Sequence, residues 1–151
     1  MSQRTAPLTD DPTLARVIDF YETLTPGSLK RLGEVYCADA HFKDPFNEVQ
    51  GLGAIEAIFA AMFETLESPR FVVVQAARDG QRAFLVWEFH FRSCRIAGGA
   101  EQCIHGASWL EFNAEARVAR HRDYWDAAEE LYEKLPAIGT LMRWLKSRLA
   151  H

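Results

Sequence analysis

The hydrophobic pattern of the chain changes period between Leu66 and Phe71, and that change decides the fold class. Upstream, Leu14, Val17, Ile18, Phe20, Tyr21 and Leu24 recur at helical spacing. So do Leu29, Leu32 and Tyr36, and then Ile55, Ile58, Phe59, Met62, Phe63 and Leu66. Each set lays one apolar stripe along a helix. Downstream, Phe71–Val74, Ala83–Arg95, Gln102–Phe112 and Arg117–Trp125 are rich in β-formers. The turn signals Asp79-Gly80, Gly98-Gly99 and Asn113–Ala116 separate them.

The boundaries are written in local chemistry. Asp10 and Asp11 precede Pro12, which suits a first helical position, and Thr25-Pro26-Gly27 ends that helix. Ser28 can cap a second short helix that finishes at Ala38-Asp39. His41–Phe46 reads as a short strand, with Pro45 confining it to an edge or an end. Asn47–Leu52 reads as a loop, and the third helix stops at Ser68-Pro69. Helices followed by a run of strands give an α+β fold of order α-α-β-α-β-β-β-β-α, not the alternation of a parallel sheet. A single antiparallel meander with three helices on one side curls into a cone and encloses a pocket, the kind of concave space that takes small ligands. One domain covers residues 12–126. Residues 127–151 form a helical extension, interrupted at Pro136 and Gly139, that packs on the same domain.

Composition narrows the function classes. With 17 Lys and Arg against 21 Asp and Glu, the net charge of −4 gives no basic face for nucleic acid. No window approaches about 18 uninterrupted apolar residues, so no membrane span is expected. Met1–Asp11 is polar and lacks a signal-peptide core. The three cysteines, Cys37, Cys94 and Cys103, are odd in number and read as small apolar fillers in a reduced, cytoplasmic protein.

The stretch Tyr36-Cys37-Ala38-Asp39-Ala40-His41-Phe42-Lys43-Asp44-Pro45 resembles the SnoaL-like branch of the nuclear transport factor 2-like superfamily. Val49-Gln50-Gly51 leading into the helix at Ile55, and Tyr124-Trp125-Asp126 closing the last strand, fit the same pattern. The resemblance spans Leu14 to Asp126. The superfamily includes ketosteroid isomerase, polyketide cyclases, limonene epoxide hydrolase, scytalone dehydratase and domains with no enzymatic role, so function has to be argued from the site.

Carried over residue by residue, the resemblance puts Asp44 at the position of the isomerase general base. Phe20 and Ser108 stand where that enzyme has its oxyanion donors, so an enolate formed by Asp44 would have little to stabilise it. The same register turns Val86, Glu88 and His90 towards the pocket, with Ser108, Leu110, His121, Asp123 and Trp125. Phe20, Phe42, Phe59 and Phe63 complete the lining. Leu85, Trp87, Phe89 and Phe91, with Trp109, then form an outer apolar face suited to a homodimer. A slip of one residue would invert any of these strand assignments.

Three groups are candidate catalytic residues: Asp44, His121 and Asp123. Asp44 could act on a ligand or could cap its own turn, as Asp before Pro often does. His121 and Asp123 are two apart on a strand and share a face, so the carboxylate can hold the imidazole for acid–base work; a structural polar pair is the alternative. Glu88, His90, His121 and Asp44 would suit zinc or iron chemically, but nothing local resembles His-x-His or His-Glu-x-x-His, and no metal is expected. Two functions stay open: a cofactor-independent isomerase, cyclase or hydrolase acting on a small hydrophobic molecule, or a non-catalytic domain that binds an apolar ligand or another protein.

Overall fold

The computed structural model describes residues 6–132 and 135–149. Helix α1 (Pro12–Glu22) is followed by a 3₁₀ helix (Pro26–Glu34), β1 (Tyr36–Lys43), β2 (Glu48–Gln50), α2 (Leu52–Thr65), β3 (Glu67–Asp79), β4 (Arg82–Arg92), a 3₁₀ turn (Ala97–Gly99), β5 (Gln102–Phe112), β6 (Val118–Tyr124), α3 (Ala127–Glu130) and α4 (Pro136–Leu149). The fold is α+β. Six strands in the order β2-β1-β6-β5-β4-β3 make one open, mixed sheet, with the apolar sides of α1 and α2 in its core.

Four details differ from the sequence reading, each for a physical reason. The second helix is 3₁₀ and shorter, because Gly27 and Gly33 within nine residues weaken the α preference. Its N-cap is Thr25, whose hydroxyl accepts the Ser28 N–H while Ser28 Oγ accepts the Thr25 N–H. Tyr36–Ala40 is strand, because β6 lies ready to pair with it: β1 runs parallel to β6, with a bulge between Tyr36 and His41. The sheet is therefore mixed, where antiparallel strands alone were expected. The expected loop at 47–52 holds β2, paired with His41–Lys43. Gly51, at φ 95°, then makes the turn into α2.

The fourth correction is the face of β4. Ala83, Leu85, Trp87, Phe89 and Phe91 point inward, whereas Phe84 (49% exposed), Val86 (38%), Glu88 and His90 point out. Alternation defines two sets, and solvation chooses between them. The inward set is wholly apolar in its bulk, while the other would carry a carboxylate and an imidazole into the core. Leu85, Trp87 and Phe91 are thus core residues and cannot form an outer dimer face. The outer apolar residues are Val74, Phe84 and Val86, near Trp109, which faces Phe84 across the strands. On β5, Ser108, Leu110 and Phe112 are buried, as is His121 on β6.

Helix α1 is fixed to the far end of the sheet. Asp11 accepts the Leu14 N–H at 2.9 Å as N-cap, and its two oxygens lie 3.0 and 2.9 Å from Arg78 Nη1 on β3. That backbone bond, ahead of the arginine, holds its carboxyl below the ordinary carboxylate range. At the other end of the chain Leu131 and Leu135 pack against the core, while Ile138, Leu141 and Trp144 of α4 are about half exposed. No helix among the described residues is long and apolar enough to cross a membrane.

Trp87 dictates a second local requirement. It stands opposite Gly106 on β5, and its indole lies across that residue. A β-carbon at 106 would sit 2.6 Å from Trp87 Cζ2 and 2.8 Å from Cζ3, so only glycine leaves room for the ring. Gly106→Ala is expected to destabilise the protein by about 1–3 kcal/mol through overpacking, with a changed near-UV circular dichroism spectrum. Gly53→Ala in α2, where a β-carbon meets nothing within 4 Å, should be neutral or stabilising in the same denaturant titration.

A candidate acid–base site at the floor of an apolar cavity

The polar centre is built from four elements. Helix α1 presents Tyr21, β1 Tyr36, β6 His121 and Asp123, and β5 Ser108. His121 is 2% exposed and clasped between rings, stacked with Tyr36 at 5.9 Å between centroids and 4.6 Å from Phe42. Its Nδ1 lies 2.9 Å from Tyr21 Oη and 2.7 Å from Tyr36 Oη, and the two phenol oxygens also contact each other. Its Nε2 lies 2.6 Å from Asp123 Oδ1. Ser108 Oγ–H donates to the same oxygen and accepts Trp87 Nε1–H at 2.9 Å.

These contacts set the protons. Burial pushes both phenols far above the ordinary tyrosine value, helped at Tyr21 by the neighbouring Tyr36, so both stay O–H donors. Nδ1 is then the acceptor and Nε2 carries the hydrogen given to Asp123. One nitrogen lone pair can serve only one phenol; the other phenol donates to its partner's oxygen. The result is a directed chain, phenol to phenol to imidazole to carboxylate, joined at Asp123 Oδ1 by indole and serine. Among the described residues no buried side-chain N or O lacks a partner, and no hydrogen bond uses Asp123 Oδ2.

Three spaces meet this centre, one of them an open surface hollow lined by Lys43, Asp44, Arg122, Asp123 and Trp125 among others. A cavity of about 20 Å³, room for about one water, is lined by Tyr21, Trp87, Ser108, His121 and Asp123 among others. A larger one of about 400 Å³ opens beyond it. Its walls are Phe42, Phe59, Phe71, Trp87, Phe89 and Trp125, with further apolar groups from α2 and β5. Asp123 borders all three spaces. Among the described residues no Lys, Arg or His lines the larger cavity, and its charged groups are Asp44 and Asp123.

The candidates named from sequence fall into three places. His121, Asp123 and Ser108 meet within hydrogen-bond distance. Asp44 lies at the wall of the larger cavity with its carboxylate committed to its own turn: Oδ1 accepts the Phe46 and Asn47 N–H groups, each at 2.7 Å, and Asn47 Nδ2 bridges both oxygens. Phe42, Phe59 and Trp125 line the cavity. Leu110 and Phe20 are buried in the core and Phe63 packs on it, none of them against any of these spaces. Val86, Glu88 and His90 lie on the opposite side of β4 and are corrected from pocket to outer surface.

Tyr21, Tyr36 and Trp87 were missed as site residues. Tyr21 looks in sequence like one more member of an apolar stripe, and the residue matched to the isomerase tyrosine was its neighbour Phe20. Spacing in the sequence places Tyr36 in a helix, and the register of the resemblance places Trp87 on the outer face. A hydroxyl on a residue bound for the core was the signal available, since it must find a partner there.

The two phenols generate a pH dependence. Their folded values lie above the unfolded one, so stability is fully present below about pH 10 and falls above it. The slope is about 1.4 kcal/mol per pH unit for each phenol. Denaturant unfolding between pH 9 and 11 should show this loss, and Tyr21→Phe should reduce the slope. Tyr21 and Tyr36 should add phenolate absorbance only when the chain unfolds; their ionisation in the folded state would contradict the proton assignment.

Solved structures share this architecture. A hypothetical protein with a ketosteroid isomerase-like fold from Catenulispora acidiphila, solved in complex with trimethylamine, is 17% identical, with a TM-score of 0.70 over 85% of this chain and 97% of that one. A candidate SnoaL-like polyketide cyclase from Shewanella putrefaciens is 16% identical, with a TM-score of 0.69 over 83% and 97%. TsrD from Streptomyces laurentii is 17% identical, with a TM-score of 0.66 over 83% and 92%. At such identities the likeness speaks for the fold alone. No curated protein matches the chain. The model of the SnoaL-like domain matches residues 17–121, and on that match the chain belongs to the SnoaL-like domain family.

Proposed function

We propose that the protein binds a small hydrophobic molecule in the larger cavity and that Asp123, held by His121, exchanges a proton with it. The observation carrying this reading is the 2.6 Å His121–Asp123 pair at the border of an apolar space of about 400 Å³. Ligand pockets of this kind are mostly apolar with a few fixed polar groups. Asp123 Oδ1 is occupied by two donors, which leaves Oδ2 as the oxygen available to a bound molecule. An isomerase, cyclase or hydrolase of this type needs no cofactor for such a transfer, only a carboxylate oriented against the bound molecule.

The charge pattern restricts the ligand. Two carboxylates and a set of aromatic faces, with no cationic side chain in the wall among the described residues, disfavour an anion and favour a neutral or cationic molecule that offers a hydrogen. The complex of the Catenulispora protein with trimethylamine is compatible with that preference.

One observation favours the non-catalytic alternative. Three of the four side-chain donors around the cavity are already engaged: Trp87 with Ser108, Thr65 with the Ala61 carbonyl, Asn47 with Asp44, which among the described residues leaves the Trp125 indole N–H. A reaction that builds an oxyanion would find that single indole N–H and no paired oxyanion donors to stabilise it.

A matched ligand series separates these possibilities. Calorimetric titration with a hydrophobic amine, the corresponding ketone and the corresponding carboxylate should rank amine first and carboxylate last. Asp123→Asn should weaken the amine by roughly tenfold or more, about 1.4 kcal/mol, and leave the ketone nearly unchanged. Preferred binding of the carboxylate, or an amine affinity indifferent to Asp123→Asn, overturns the reading. Deuterium exchange beside the carbonyl of the bound ketone, lost in Asp123→Asn, marks catalysis; binding without exchange marks a carrier.

A further inference from the structure

The residues displaced from the pocket form a group of their own. Glu88 and His90 on β4 stand opposite His105 and Cys103 on β5, so the four side chains make a square on the outer face of the sheet. His90 Nε2 lies 2.9 Å from Glu88 Oε2 and 3.9 Å from Cys103 Sγ, and the ligand atoms of these three residues all fall within 4.8 Å of one another. Cys103 Sγ is also 3.9 Å from His105 Nε2. A tetrahedral zinc ion, with bonds of about 2.0–2.3 Å, sets its donor atoms roughly 3.3–3.6 Å apart. The three residues approach that spacing before any ion is considered, and His105 stands beside them as the fourth.

We infer that Glu88, His90, Cys103 and His105 form a zinc-binding site on the outer face of β4 and β5, separate from the cavity. Carboxylate, imidazole and thiol together suit a borderline ion such as Zn²⁺ and not Mg²⁺ or Ca²⁺, which prefer all-oxygen sets. The carboxylate and a thiolate balance its two charges; the thiol proton leaves to solvent on binding. The surroundings agree. His105 turns Nδ1 towards Glu130 of α3, 3.6 Å from Oε1, placing a carboxylate behind a ligating imidazole, the usual outer support of such a ligand. Arg70, opposite His90 on β3, is paired with Glu101 at 2.7 Å, so its charge is offset beside the site. The side chains of His90 and Glu88 are 18% and 35% exposed, leaving an entry path from solvent.

The test titrates Zn²⁺ into chelator-treated, reduced full-length protein by calorimetry and uses Co²⁺ as a spectroscopic probe. One ion per chain is expected with Kd below about 1 µM. Co²⁺ should give tetrahedral ligand-field bands and a sulfur charge-transfer band in the near ultraviolet. Cys103→Ser and His90→Ala should each weaken binding at least a hundredfold, and His105→Ala roughly tenfold, while Cys37→Ser and Cys94→Ser change nothing. Zinc should also protect Cys103 of the wild-type protein from alkylation, a readout that needs no variant to fold. Binding weaker than about 100 µM, a cobalt spectrum without the sulfur band, affinity surviving the Cys103→Ser/His90→Ala double substitution, or unprotected Cys103 would each show only a surface Glu–His ion pair and overturn the site.

Discussion

An imidazole that is 2% exposed must have both ring nitrogens satisfied, and in this protein that need organises the interior. A lost partner would leave a buried polar group at a cost of about 1–3 kcal/mol. His121 meets the requirement by taking hydroxyls from α1 and β1 on one side and a carboxylate from its own strand on the other. The hydrogen bonds therefore fix how α1, β1 and β6 sit relative to one another, as well as the tautomer of the ring. The carboxylate is fixed in turn by Ser108, and the serine by an indole that lies flat only because residue 106 is glycine. Each polar group in the series is placed by the next.

What the sequence made legible followed from periodicity. The change from helical to strand spacing established the α+β class, and the i,i+2 spacing of His121 and Asp123 put them on one face. Periodicity could not say which face of β4 turned inward, because alternation is symmetric until burial breaks it. The composition of the two sets held the answer: Leu85, Trp87, Phe89 and Phe91 outweigh a set containing Glu88 and His90 once the cost of burying charge is counted. The bulge in β1 and its parallel pairing with β6 were invisible for another reason. They depend on a strand about eighty residues away, and local propensity carries no information about it.

The site was half legible in the same sense. Its second half comes from α1 and β1, where Tyr21 and Tyr36 are indistinguishable in sequence from apolar core residues. The outer group of Glu88, His90, Cys103 and His105 reads as two unrelated dipeptide spacings until the hairpin register sets His90 against Cys103. One pair of strands thus carries an apolar cavity wall on one side and a cluster of metal-type ligands on the other. The pleat keeps them apart while placing them back to back.

The parallel pairing of β1 with β6 bears on how the molecule comes into being. Tyr36 and His121 are 85 positions apart and Tyr21 and His121 are 100 apart, so the polar centre includes contacts that close some of the largest loops among the described residues. Loop closure of that length is slow, because ordering entropy is spent before the contact rewards it. During synthesis the two phenols emerge long before the strand that holds their acceptor. Until β6 arrives, β1 has only the short β2 beside it and the two phenols lack their imidazole acceptor, while the hairpins of β3, β4 and β5 can form without them. The strand that completes the site is also the one that joins β1 to the β3–β5 meander, so the site can form only once β6 has taken its place in the sheet.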